Sequence, residues 1–323
     1  MIIHRRTPRA RRYSLWWIHP FTNPGLGMNA SKKSTHLGLA FARTPSQLCQ
    51  VAVVTVITAM LASLIVQWPT VASAHGAPIH VTPFNLNGRY PVGILDSAEP
   101  SGEAPPSPQA LVGYTLSYEN DFTGTTIPPG WEVFTGVPLF DPGAHFGVSH
   151  VIVSDGVLQL NTYRDTQWYN RWVTGGICQC GVAHVYGAYF VRSRVSGAGP
   201  TAVQLLWPAA IHMWPPEIDF NETGGTVAST TSSVHFGKAN NVVRSKVVID
   251  MTLWHTWGII WTPTDILYTV DGRIWGQFRV AADISKAPMT LDFEQRQECV
   301  EHRQCPTAPE SMQIDWVAEY LKS

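Results

Sequence analysis

Charge is scarce in this chain. Only 14% of its 323 residues are Asp, Glu, Lys or Arg, and residues 1–74 contain no acidic residue at all. With 45% apolar and 11% aromatic residues beside it, that scarcity excludes a disordered chain and a charge-laced coiled coil. Eight of the 22 basic residues fall in 1–74, so the remainder carries 14 basic against 23 acidic residues, a net of −9. A body that acidic is poor in the Lys and Arg that give affinity for phosphate backbones and anionic membrane surfaces, and nucleic acid is not expected as a partner. After residue 110 no apolar stripe of period 3.6 is sustained either, which excludes a helical architecture there.

Long apolar runs are equally rare: there is one, Val51 to Val66, preceded by the basic residues and followed by Ala72-Ser73-Ala74. A basic start, an apolar middle and a small-x-small site are the layout of a secretory leader, with cleavage expected after Ala74. Met28 offers an internal start that would give that leader an ordinary length. The alternative is an uncleaved membrane anchor, since the run and its flanks approach the roughly 20 residues that span a bilayer. A secreted chain with no stable membrane association after cleavage is the expectation.

Cysteines number five. Cys49 belongs to the leader, leaving Cys178, Cys180, Cys299 and Cys305, an even number that in an exported domain suggests one or two disulfides. Zinc is the other possibility, but neither spacing is the usual knuckle of two to four residues. The connectivity stays open, with direct pairing of Cys178 and Cys180 expected to be strained.

Residues 75–110 are rich in proline, with Pro100, Pro105, Pro106 and Pro108 close together, and read as a linker or an extended lead-in. From Leu111 onward the pattern is short runs of Val, Ile, Tyr, Phe and Trp divided by Gly, Pro, Asn and Asp. Val151 and Val153 alternate with Ile152 and Ser154, and Ile266, Tyr268 and Val270 with Leu267 and Thr269. Asp155-Gly156 and Asp271-Gly272 stand between such runs as hairpin turns. An all-β sandwich of antiparallel strands, one domain over 111–323, is the class these signals give.

Within it stands HMWPPEIDFNETGG (212–225), which sets Glu217, Asp219 and Glu222 inside six residues with no Lys or Arg between Arg194 and Lys238. Crowded carboxylates repel, so any screening must come from the fold. Ile218 and Phe220 alternate with Glu217 and Asp219, which describes a strand with one acidic face. Glu217 to Glu222 is a step of five and has the wrong parity for that face. One extra residue in a β-bulge restores it. At about 3.3 Å per residue, with a bulge absorbing a step, the outer carboxyls approach the roughly 5–5.5 Å separation at which one acts as nucleophile and the other as acid in a retaining glycosidase.

The stretch Glu217-Ile218-Asp219-Phe220-Asn221-Glu222 resembles the active-site signature of glycoside hydrolase family 16, in its bulged, laminarinase-like form. Other stretches follow in the family's order: ENDFTGTTIPPGWEVFTG (119–136), YGAYFVRSRV (186–195), Trp214-Pro215, His235 in SSVHFG, the hairpin WHTWGIIWTPTDILYTVDG (254–272) and MQIDWVAEY (312–320). The resemblance implies a jelly-roll β-sandwich of the concanavalin A-like lectin and glucanase architecture, with a sugar cleft on one curved sheet. Two stretches depart from it: Gln204 in AVQLLWP replaces a common Trp, with Trp207 displaced, and LDFEQRQEC (291–299) replaces a glycine-rich segment.

Carried over, the resemblance makes Glu217 the nucleophile, Glu222 the acid/base and Asp219 the residue that tunes Glu217. Of the three, Glu222 is expected to be the acid whose pKa is raised, since it must hold a proton for the leaving oxygen. Trp214, Trp207, His235 and Arg192 are expected to line the cleft, against core packing or a structural ion pair as their ordinary roles. Glu119 and Asp315 are candidate donors to a structural calcium, and no cofactor is expected in the chemistry. The implied function is a monomeric, secreted endo-glycosidase acting on a β-1,3- or β-1,3-1,4-glucan. Its rivals are a cell-wall transglycosylase using the same residues and a non-catalytic carbohydrate-binding module.

Overall fold

The computed structural model describes residues 79–81, 90–137, 144–210, 213–297 and 305–323. The leader expected in 1–74, with Cys49, and the second-half cysteine Cys299 lie outside these residues. Strand formation follows the sequence signals closely. Val151 and Val153 are buried while Ile152 between them is exposed. Both Asp-Gly turns hold two residues at positive φ, 54° and 72° at Asp155-Gly156 and 46° and 74° at Asp271-Gly272. This is the turn whose twist suits adjoining antiparallel strands, and glycine supplies its second position without a Cβ penalty.

Among the described residues the strands form two large sheets. The eight-stranded one runs in the order Ile79–Val81, Asn241–Val248, Ser229–Phe236, Glu217–Glu222, Thr201–Pro208, Met289–Arg296, Gly176–Cys178 and Glu132–Val133. Its first pair is parallel and the rest antiparallel. The nine-stranded one is centred on Gly187–Val195 and Glu310–Lys322, with His255–Trp261 and the following hairpin on one side. The architecture is a jelly-roll β-sandwich. Ile218, Phe220, Leu206 and Phe293 from the first sheet meet Tyr189, Val191, Trp257, Trp261 and Ile314 from the second in one buried cluster. Core residues packed this fully make each large-to-small change cost about 3–5 kcal/mol for an aromatic. Trp257, Trp261 and Trp316 are fully buried, as their strand patterns imply.

The proline-rich segment is a lead-in and not a free linker over its described part. A short hairpin, Ile94–Leu95 with Glu103–Ala104, lies over the outer side of the nine-stranded sheet. There Trp316 Nε1 donates to Glu103 O at 2.8 Å and Tyr320 Oη to Ser107 O at 2.7 Å. Leu111 and Tyr90 join Phe190, Ile260 and Trp316 in a second apolar cluster. Proline suits this segment because it travels extended, giving carbonyls to side chains and needing few amides of its own.

One of the cysteine pairings left open by the sequence is present. Cys178 and Cys180 are bonded to each other, their Cα atoms 5.0 Å apart, within the ordinary span for a disulfide. The strand Gly176–Cys178 ends at Cys178, and the chain turns immediately after it, which brings residues two apart within reach. Cys305 is disulfide-bonded as well.

Candidate active site

The bulge expected in the acidic strand is present. Asp219 pairs with Ser233 and Glu222 with Thr231, so between those pairs Phe220 and Asn221 on the acidic strand oppose the single residue Ser232 on its neighbour. On the other side Leu205 pairs with Asp219 and Gln204 with Asn221, which leaves Phe220 as the extra residue. Phe220 is fully buried among core residues. Burial of that ring fixes the bulge, and the bulge returns Glu222 to the face of Glu217 and Asp219.

Register then shows what shares this face. His235 stands opposite Glu217, and its Nε2 lies 3.5 Å from Asp219 Oδ2 while Nδ1 meets Asn240 Oδ1 at 2.9 Å. Trp214 donates its indole N–H to Glu217 Oε2 at 2.6 Å, with its ring 6.0 Å from that of His235. Trp207 follows Leu206, which pairs with Ile218, so alternation puts it on the face of Glu217. The expected cleft residues Trp214, His235 and Trp207 are therefore brought to the acidic triplet.

Arg192 is not. It sits in the nine-stranded sheet with its guanidinium 3.2 Å from Glu103 and 3.9 Å from Asp271, and it donates to Ser101 and Thr256. Its role is the structural ion pair. The cation that serves the triplet is Arg296, whose Nη2 lies 3.1 Å from Glu222 Oε1 and whose Nε lies 3.6 Å from Glu294. The stretch 291–299, read only as a departure from a glycine-rich segment, supplies it. Asp292 pairs with Leu205 and Glu294 with Val203, so Asp292, Glu294 and Arg296 alternate onto the acidic face. Alternation within LDFEQR was the signal that sequence reading passed over.

Gln204 is likewise corrected. It faces the interior, donating to Ser193 Oγ of the other sheet, and the cleft position on that strand is Leu205 beside Asp219. A Trp at position 204 would have entered the core.

Burial, and next to it the charge of neighbouring Asp219, push Glu217 well above the usual carboxylate range, although the Trp214 hydrogen bond and Arg296 pull the other way. Glu217 is thus a raised carboxyl, and Glu222 forms an ion pair with Arg296. Burial works against the charge on Arg296, but Glu294, Glu222, Glu217 and Asp219 outweigh it and hold its pKa up. Burial also opposes the charge on His235, and Asp219 more than restores it, leaving that imidazole above its ordinary value. Asp292 is raised by burial and then by Glu294.

Glu119 and Asp315, the candidate calcium donors, lie on paired strands. Among the described residues no three His, Cys, Asp or Glu side chains gather as a ligand set. Glu119 lies on the strand Tyr114–Asn120 opposite Ala318, and Asp315 Oδ2 accepts from the Ser101 amide at 3.2 Å.

Comparison with known proteins follows the same line. The model of glycosyl hydrolases family 16 matches residues 143–318, which include the acidic strand and both neighbouring strands. Endo-1,3-1,4-beta-glycanase ExsH of Rhizobium meliloti is 27% identical over 150 residues, 42% of this chain and 31% of that protein. EglC of the same organism, also an endo-1,3-1,4-beta-glycanase, is 26% identical over the same shares. The chain thus spans about a third of the length of the curated relatives it matches. Among solved structures, the laminarinase of Rhodothermus marinus superposes with a TM-score of 0.59 at 18% identity, over 64% of this chain and 97% of that one. The endo-1,3-beta-glucanase catalytic domain of Thermotoga petrophila gives 0.58 at 16% identity, over 65% and 98%.

Proposed function

Because the chain belongs to glycosyl hydrolases family 16, we propose that it is a secreted, retaining endo-glycosidase that hydrolyses a β-1,3- or mixed-linkage β-1,3-1,4-glucan. The observation that carries this reading is the Phe220 bulge, which sets Glu217, Asp219 and Glu222 on one face with Trp214 bound to Glu217. The linkage is supported by the endo-1,3-1,4-beta-glycanase relatives. No cofactor is needed in the scheme.

Ionised Glu217 attacks the anomeric carbon while the glycosidic C–O bond breaks, and Glu222 gives its proton to the departing oxygen. The result is a glycosyl ester on Glu217 and a carboxylate on Glu222. That carboxylate takes a proton from water, whose oxygen attacks the same carbon and frees Glu217. Two displacements return the original anomeric configuration. Trp214 Nε1–H holds Glu217 in place and favours its ionised form, and Arg296 holds Glu222 toward the same face. Asp219, within reach of Glu217 and His235, tunes the nucleophile's proton.

Glu217→Gln and Glu222→Gln should each lower turnover of a β-glucan at least about 10³-fold with melting temperature retained. Substantial hydrolysis by Glu217→Gln overturns the nucleophile. Proton NMR in the first minutes should show a β product; an α product means inversion and another acid pair. Product analysis with added acceptor oligosaccharide separates hydrolysis from glycosyl transfer, and binding without turnover in the unaltered protein would make it a carbohydrate-binding module.

A further inference from the structure

Beside the acidic face, the turn after the strand Ser229–Phe236 and the segment 283–287 enclose a hollow of about 570 Å³. Trp214, whose indole N–H holds Glu217, forms part of its wall, so the hollow continues directly from the catalytic face. Pro215, Pro216 and Phe236 extend the apolar surface. Flat aromatic and prolyl faces suit the C–H face of a pyranose ring.

Its charge is opposite to that of its surroundings. Residues 75–323 carry a net of −9, and the neighbouring face gathers four carboxylates around Arg296, yet the hollow is lined by Lys238 and Lys286 against the single carboxylate Asp283. Both lysines are exposed. Among the described residues neither is within ion-pair distance of any carboxylate, Asp283 included. A lysine that serves only solubility would be expected to mix with acidic neighbours in so acidic a domain. Two lysines without an ion-pair partner among the described residues, lining an apolar hollow whose wall includes the Trp214 that binds Glu217, are a recognition feature.

We propose that this hollow is a subsite for a carboxylate-bearing sugar of the glucan chain, its ring resting on Trp214 and Phe236 and its carboxylate between Lys238 and Lys286. The substrate would then be an acidic β-glucan and not a neutral one. This rests on the hydrolase reading of the adjoining face. The carboxylate has two chemical sources, oxidation of the sugar's C6 to a uronate or a pendant acid carried by an ester.

Three probes decide it: laminarin, laminarin partly oxidised at C6 to glucuronate, and laminarin carrying succinyl half-esters. Affinity is measured by calorimetry on the full chain with Glu222→Gln, which frees binding from turnover, and kcat and KM on the unaltered chain. At low salt at least one carboxylated probe should bind about 5- to 30-fold more tightly than laminarin, from two exposed charge contacts. The preference should shrink as salt is raised and vanish in Lys238→Gln/Lys286→Gln. Preference for the oxidised probe assigns a uronate, and for the half-ester a pendant acid. Equal or weaker binding of both, or a preference that survives loss of both lysines, overturns the subsite. Lysine-dependent binding with no hydrolysis of any probe would remove the hydrolase reading and keep the subsite; hydrolysis without the preference would do the reverse.

Discussion

Two regions of this molecule hold nearly the same inventory, one arginine, one histidine and a set of carboxylates, and treat it in opposite ways. On the nine-stranded sheet, Asp271 accepts from His255 Nδ1 at 2.7 Å and from the Thr256 amide at 2.9 Å, with Arg192 at 3.9 Å. Burial would raise that carboxyl, but His255, Thr256 and Arg192 hold it below its ordinary value. On the acidic face, burial and Asp219 raise Glu217, and Asp219 Oδ1 is buried with no hydrogen-bond donor against it. A proton on Glu217 is the donor that pair lacks. Donors outnumber acceptors at the first site and fall short at the second. Crowded carboxylates therefore do not mark chemistry by themselves; the shortage of donors does.

The comparison breaks most visibly at its two arginines. Arg192→Met strips a buried ion pair and should lower stability by about 3–5 kcal/mol, while the folded fraction keeps its turnover. Arg296→Met removes a positioned cation from the reacting face and should lower kcat about 10²- to 10³-fold with a smaller change in melting temperature. Paired measurements of kcat and thermal unfolding on both variants test this. Loss of turnover in folded Arg192→Met would return that residue to the site.

The same two residues show what was legible in the sequence. Alternation, the parity argument for a bulge and both Asp-Gly turns depend on neighbours along one strand, and the structure bears them out. Trp214 and His235 sit within a few residues, or one hairpin, of the triplet and lie beside it for that reason. Arg192 and Arg296 each lie in the second half of a strand, and only sheet order decides which reaches the cleft: Met289–Arg296 lies two strands from Glu217–Glu222, whereas Gly187–Val195 lies in the other sheet. The pairing of Met289–Arg296 with Thr201–Pro208, roughly 80–95 residues apart in sequence, is a long-range property that periodicity does not encode. The docking of residues 90–110 was hidden for the same reason, since its carbonyl acceptors leave no side-chain pattern.

Glu319 extends the comparison to a carboxyl with no cation beside it among the described residues. It is buried between the sheets beside Gln179, and burial pushes it up to about 8. A carboxyl whose folded pKa exceeds its unfolded value, about 4.3, contributes stability that is complete below the unfolded value. That contribution is lost as pH rises toward the folded one. Unfolding free energy should therefore fall between about pH 4.5 and 8, at up to about 1.4 kcal/mol per unit, and Glu319→Gln should remove that slope. His235, also raised, adds a slope of the same sign, so the quantity to read is the difference between the two denaturation curves across pH. Parallel curves would mean that Glu319 is paired in the folded state.

Trp214→Phe separates the hydrogen bond from the ring. Loss of a bond to a charged oxygen is worth about 1.5–3 kcal/mol, so kcat/KM should fall about 10- to 150-fold while oligosaccharide affinity, which depends on the aromatic face, changes little. A drop in melting temperature with unchanged kinetics would make Trp214 a packing residue only.

Asp219→Asn makes the smallest change, a shift of one limb of the pH profile. Glu217 has to be ionised to attack, so activity falls as pH drops through its raised range, and the neighbouring negative charge of Asp219 is one reason that range is raised. With Asn in place that charge is gone, and the acidic limb of kcat/KM should move to lower pH by about one unit, the scale of a single nearby like charge. The two carboxyls share their protons, so the limb belongs to the pair and its movement is the meaningful reading. Plateau activity should fall less than in the Glu217 or Glu222 variants, because Asp219 forms no bond to the sugar. Asp292→Asn is the control: it too is a raised carboxyl on this face, but its charge partner is Glu294 and it is not among the groups that raise Glu217, so its limb should stay in place. A limb that moves up in Asp219→Asn, or moves equally in both variants, would mean that general negative potential sets the proton on Glu217, and that Asp219 has no special hold on it.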